Sequence, residues 1–177
     1  MRLTVLSTAF IFSLSSLAMA DPYTGSYADT YIGVGVGQTD YDLENFDEPT
    51  GLNLYLGQRF NESLALEAFY TDFGTAEDEI FDDVEVTANT FGAGLLVGGQ
   101  PSPGVNLFVN VGIHAWDTEV ESRFLDRREE DNGSDIYYVV GASFDLNPAI
   151  SLGARYTNYD LDGEDVSLMS VNMEAHF

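Results

Sequence analysis

The chain has 177 residues, 45% hydrophobic and 13% aromatic, which suits one folded domain rather than a disordered chain. Thirty acidic residues face only six basic ones, all arginine, for a formal net charge of −24. That charge excludes nucleic acid as a partner, because every phosphate contact would have to overcome repulsion. The absence of cysteine excludes a disulfide framework, a thiolate nucleophile, a Cys-ligated metal and a lipid-modified N-terminal cysteine.

In chain order, the first twenty residues form a separate element. Met1-Arg2 gives a positive end, Val5 to Leu17 is apolar apart from Ser and Thr, and Ala18-Met19-Ala20 gives a small-x-small cleavage site. A spanning helix needs about 20 apolar residues, so residues 1–20 are expected to be a signal peptide cleaved after Ala20. Residues 21–29 then form a short segment ahead of the folded part.

Eight stretches with period two follow. Ile32, Val34 and Val36 alternate with Gly33, Gly35 and Gly37, and the pattern recurs at residues 52–57 and 64–70. Phe91, Ala93, Leu95 and Val97 oppose Thr90, Gly92 and Gly94 within residues 86–97. Leu107, Val109, Val111 and Ile113 then oppose Asn106, Phe108, Asn110, Gly112 and His114. Ile136, Tyr138, Val140, Ala142 and Phe144 oppose Tyr137, Gly141 and Ser143. Ile150, Leu152, Ala154 and Tyr156 oppose Ser151, Gly153, Arg155 and Thr157. Met169, Val171, Met173, Ala175 and Phe177 oppose Ser170, Asn172, Glu174 and His176. Each stretch is near the ~9–11 residues with which a tilted strand crosses a bilayer. An even number closes an antiparallel sheet with every backbone group paired. The fold class is therefore all-β, an eight-stranded antiparallel transmembrane up-and-down β-barrel over residues 30–177.

Connectors alternate in character. Those after the second, fourth and sixth strands are tight, at residues 60–62, 98–104 and 145–148, and rich in Asn, Gly and Pro. The others are expected to be long and acidic: five acids in residues 40–50, six in 75–85, eight in 117–135 and four in 160–165, together 23 of the 30. A soluble barrel has the same alternation but puts charge outside. Here the polar face is mostly Gly, Ser, Thr and Asn, which suits a crowded interior. The apolar face carries Tyr70, Tyr138 and Tyr156 near the acidic end and Phe144 and Phe177 near the other, as rings do at headgroup level.

Residues 31–37, the run Gly57-Gln58-Arg59-Phe60-Asn61-Glu62-Ser63 continuing to Tyr70, residues 107–116 and residues 141–148 together resemble the OmpA-like transmembrane β-barrel domain of Gram-negative bacteria. The resemblance spans essentially the whole exported part. It implies the cell outer membrane, with short turns and residues 21–29 on the periplasmic side and acidic loops outside. It implies lipid and lipopolysaccharide as surroundings, a monomer, and a barrel assembly machinery that reads Met169, Val171, Met173, Ala175 and Phe177. Larger members append a peptidoglycan-binding domain; this chain stops at the barrel, so wall tethering does not carry over. Family lumen charges on the fifth and sixth strands correspond here to neutral Asn110 and Ser143.

Glu67 and Arg155 have lumen-facing parity and are expected to pair, because an unpaired charge in a narrow barrel is expensive. The pair suits either a structural plug, the favoured reading, or a gate in a small ion path. The acidic run 160–165 invites Ca²⁺ or Mg²⁺, but its glycine is misplaced for an EF-hand loop. Loose bridging of divalent ions to lipopolysaccharide, or a solvated surface for salty surroundings, suits it better. Arg123, Arg127 and Arg128 lie among Glu121, Asp126, Glu129 and Glu130 and are expected to pair among themselves. His114 and His176 share lumen-facing parity, and neither precedes a Ser by two residues as a His-x-Ser deacylase requires. No catalytic residue, metal site or cofactor is expected. The function expected is a non-enzymatic envelope protein displaying acidic loops, with a small ion-conducting pore or a loop-based adhesin as alternatives.

Overall fold

The computed structural model describes residues 30–41, 48–77, 84–122 and 127–177. The cleavage site, residues 21–29, Arg123 and the side chains of Arg127 and Arg128 lie outside the described residues. Eight strands follow one another: β1 (Thr30–Asp40), β2 (Thr50–Asn61), β3 (Leu64–Glu77), β4 (Val84–Ser102), β5 (Val105–Ser122), β6 (Arg127–Asn147), β7 (Ile150–Leu161) and β8 (Glu164–His176). Each pairs antiparallel with the next, and β1 closes on β8 through a ladder from Tyr31↔His176 to Asp40↔Ser167. Phe177 adds to the closure, its N–H donating to the Thr30 carbonyl at 2.8 Å. Closure pairs every strand edge in the ring, the condition hydrocarbon imposes on a sheet.

Burial alternates residue by residue and is inverted relative to a soluble barrel. Val34, Leu54, Leu95, Val111, Val140 and Val171 project outward and are exposed. Glu67, Asn110, Arg155, Ser170, Asn172 and Glu174 are buried. Only a hydrocarbon surround makes that inversion favourable, since apolar side chains lose nothing there and polar ones must pair inside. Tyr70, Tyr138 and Tyr156 flank the apolar band on one side, and Phe60, Phe144 and Phe177 on the other, all exposed.

Two-residue turns join β2 to β3 at Glu62-Ser63, β4 to β5 at Pro103-Gly104, and β6 to β7 at Pro148-Ala149. The Asn61 and Asn147 side chains accept the N–H groups of Ser63 and Ala149 at 2.8 and 2.9 Å, and Gly104 supplies a positive φ. This end is called lower. The seven-residue connector expected at residues 98–104 is a correction here: β4 runs on to Ser102, leaving only Pro103-Gly104 as turn.

The upper end differs more. The described parts of residues 75–85 and 117–135, expected as loops, are strand. Residues 160–165 form no long loop: β7 and β8 meet in a turn at Asp162-Gly163, both with positive φ, as a two-residue hairpin turn requires. The β2–β3 ladder stops at Leu52↔Asp72 and the β6–β7 ladder at Tyr137↔Tyr159, whereas β4, β5 and β6 continue. The upper parts of β3 to β6 thus stand as a four-stranded wing above the ring. The alternation simply persists there: Val86, Ala88 and Trp116 turn inward and are buried, while Asp117 and Glu130 face water.

Candidate functional site

The lumen centre is built by β3, β7 and β8. Glu67, Arg155 and Glu174 are each at most 4% exposed. The structure brings Glu67 and Arg155 together: the guanidinium Nη1 donates to Glu67 Oε1 at 2.7 Å and Nη2 to Oε2 at 3.0 Å, a forked pair. Nη2 also reaches Glu174 Oε1 at 3.0 Å, a partner the sequence reading did not assign. Tyr31 Oη donates to Glu67 at 2.9 Å and Tyr55 Oη to Glu174 at 2.9 Å. Asn110 Nδ2 donates to Glu67 at 3.0 Å and accepts from Tyr137 Oη at 3.2 Å. The Arg155 guanidinium lies 3.6 Å from the Tyr55 ring centroid and 4.9 Å from that of Phe108.

Glycines make room for this arrangement. A Cβ on Gly57 would collide with the Tyr31 ring, and one on Gly33 with the Tyr55 ring. The two rings therefore lie across the barrel and hold both carboxylates. With one arginine between two carboxylates, the cluster depends on donated hydrogen bonds to hold the second negative charge.

An aromatic layer sits above. Phe69 meets Tyr137 edge-on at 4.6 Å, Phe73 meets Tyr159 at 4.9 Å, and Tyr159 Oη bonds Thr71 Oγ1 at 2.9 Å. His114 completes it, with Nδ1 2.7 Å from Thr90 Oγ1 and Nε2 3.0 Å from the Asp160 carbonyl oxygen. Below the charged cluster the lumen widens into a polar vestibule of about 490 Å³, bordered by Arg59, Asp145, Ser151 and His176. Between vestibule and cluster a void of only about 20 Å³ remains, bordered by Tyr31, Arg155 and Glu174.

At the vestibule, Ser151 Oγ donates to Asp145 Oδ1 at 2.7 Å and lies 3.0 Å from His176 Nε2. No His-x-Ser spacing signals this contact, because it joins β7 to the end of β8. Glu174 Oε2 lies 3.8 Å from the same Nε2. Ser151 is itself 1% exposed. Among the described residues, no group of three or more His, Asp or Glu side chains is placed to hold a metal ion. Asp160 Oδ1 instead accepts the Gly163 N–H at 2.7 Å, stabilising the upper turn.

Residues 6–177 match the family model for the outer membrane protein beta-barrel domain. The chain belongs to this family. Membership implies the outer membrane of a Gram-negative bacterium as its location. Among curated proteins none matches the chain. Solved structures share the fold at low identity. Ail, the attachment invasion locus protein of Yersinia pestis, is 17% identical with a TM-score of 0.62, over 85% of this chain and 99% of that one. Neisserial surface protein A is 14% identical with a TM-score of 0.62, over 86% and 98%. The N-terminal β-barrel domain of Pseudomonas aeruginosa OprF is 12% identical with a TM-score of 0.61, over 83% and 97%. The OmpA-like resemblance of the sequence and the observed fold agree.

Proposed function

We propose that the protein is a non-enzymatic outer-membrane barrel whose lumen is plugged, contributing to envelope structure and presenting an acidic face outward. The observation that carries this reading is the Glu67–Arg155–Glu174 cluster beneath the aromatic layer, which leaves little free volume across the middle of the barrel. Export through a signal peptide cleaved after Ala20 belongs to the same reading. So does recognition of Met169, Val171, Met173, Ala175 and Phe177 by the assembly machinery, supported by the pairing of Phe177 with Thr30. A monomer surrounded by lipopolysaccharide, with divalent ions bridging carboxylates and phosphates, fits the closed ring and the surface charge.

A small pore is the second reading, favoured by the polar vestibule below the cluster. Ion conductance of the refolded protein in a planar bilayer tests both. A silent bilayer, with insertion confirmed, is expected of the plug. Reproducible discrete steps altered by Arg155→Met would replace it with the pore. An adhesin acting through the wing remains a third reading. One structure of Ail was solved with the heparin analogue sucrose octasulfate. A net charge of −24 disfavours such a polyanion here, so a recognised ligand would need the opposite charge.

A further inference from the structure

The wing and the short β7–β8 hairpin leave a second cleft, about 440 Å³, at the upper end. Its walls are apolar where water would favour polar groups. Trp116 and Val120 of β5 and Val86 of β4 face Leu161 and Val166 of the hairpin. Asp131, Asp162 and Glu164 also border the cleft and are exposed, and among the described residues no basic side chain does. Its geometry is held in place: Asp135 Oδ2 accepts the Trp116 indole N–H at 2.8 Å and the Asp162 backbone N–H at 3.2 Å, tying wing to hairpin. Gly133, opposite Trp116 in the ladder, leaves the space that the indole occupies.

We propose that this upper cleft binds a small amphipathic organic cation, its apolar body against Trp116, Val86 and Val166 and its charge toward Asp131, Asp162 and Glu164. The acidic border and the chain's charge repel an anion. A neutral apolar molecule would make no use of three carboxylates, and a hydrated metal ion would make none of the apolar walls. The volume lies within the ~300–1,000 Å³ usual for small-molecule sites. Carboxylates at the rim of an apolar cleft suit an alkylammonium through Coulombic attraction joined to burial of its apolar body. The proposal goes beyond the envelope role and stands or falls independently of conductance.

Trp116 is the chain's single tryptophan and reports on the cleft directly. The refolded full-length barrel in detergent micelles is titrated with benzyltrimethylammonium chloride while Trp116 emission is followed. Tetramethylammonium supplies the charge without the ring, and benzyl alcohol the ring without the charge. A saturable change with Kd of about 1 mM or tighter is expected for benzyltrimethylammonium alone. Kd should rise about tenfold in D131N/E164Q, two exposed changes that leave the barrel intact, and should rise with salt. Three results would overturn the proposal: no saturable change, equal binding by either control compound, or binding unaltered in D131N/E164Q with folding confirmed by heat-modifiable gel mobility.

Discussion

At Arg155 the balance of charge decides stability. Removing the guanidinium leaves Glu67 and Glu174 buried without their only shared cation, while Tyr31, Tyr55 and Asn110 still donate. Arg155→Met is expected to cost about 3–5 kcal/mol, measured by urea unfolding in lipid vesicles. Adding Glu67→Gln and Glu174→Gln should restore much of that loss, because the penalty belongs to the uncompensated charges. Equal instability of the triple variant would mean that packing of Arg155 against Tyr55 and Phe108 matters more than its charge. Gly57→Ala probes the same cluster through sterics alone. Its new methyl group would displace the Tyr31 ring, so a loss of about 1–3 kcal/mol is expected from overpacking in the same assay.

The elements differ in what stabilises them. Below the aromatic girdle, each strand is held by two neighbours and by hydrocarbon. In the wing, the upper edge of β6 has no strand beside it among the described residues, and its residues 129–135 are rich in charge, which discourages pairing with another chain. What couples wing to hairpin is Asp135. The indole N–H of Trp116, and then the Asp162 backbone N–H, hold its carboxyl below the usual carboxylate range. A carboxylate with a depressed folded value contributes stability above its ordinary value of about 4 and loses it as pH falls through the folded value. Trp116 emission should therefore stay constant from neutral pH to about 4 and shift below that as the clamp opens. In Asp135→Asn that acid step should be absent. A step that persists unchanged would assign the transition to other carboxylates of the upper end.

At the scale of the whole molecule, two solvents meet one sheet. The outward face is apolar over a band from Ile113 and Ile136 down to Phe144 and Phe177, and acids crowd the upper end. Val109→Arg, an exposed position on β5 between the levels of Tyr138 and Phe144, is expected to lose about 2–4 kcal/mol in vesicle unfolding, because the charge must enter hydrocarbon. Glu130→Arg on the outer side of the wing should stay within about 0.5 kcal/mol of the parent, since that side is in water. Equal effects at the two positions would contradict a membrane-embedded band. The same contrast bears on how a chain of net charge −24 folds compactly: among the described residues, the two acids buried in the lumen share Arg155.

What a period of two determines is which face a side chain takes, and that much the sequence settled by itself. It put Val34, Leu95 and Val171 outside, Glu67 and Arg155 inside, and turns beside Asn61, Pro103 and Asn147. The eight-stranded count and the aromatic girdle followed from the same pattern. Height along the barrel is different, because it depends on strand tilt and on the stagger between neighbours, which no local pattern carries. Glu174 had the right parity but an unknown level, so only the closed ladder of β7, β8 and β1 brought it to Arg155 and to Tyr55. Ser151 and His176 met for the same reason. The wing was legible in part: Val86-x-Ala88 and Trp116-x-Thr118-x-Val120 keep alternating among the acids, but the density of charge masked strand as loop. Strands continue there because water solvates the outer face as hydrocarbon does lower down, while their neighbours in the tertiary structure bury the inner one.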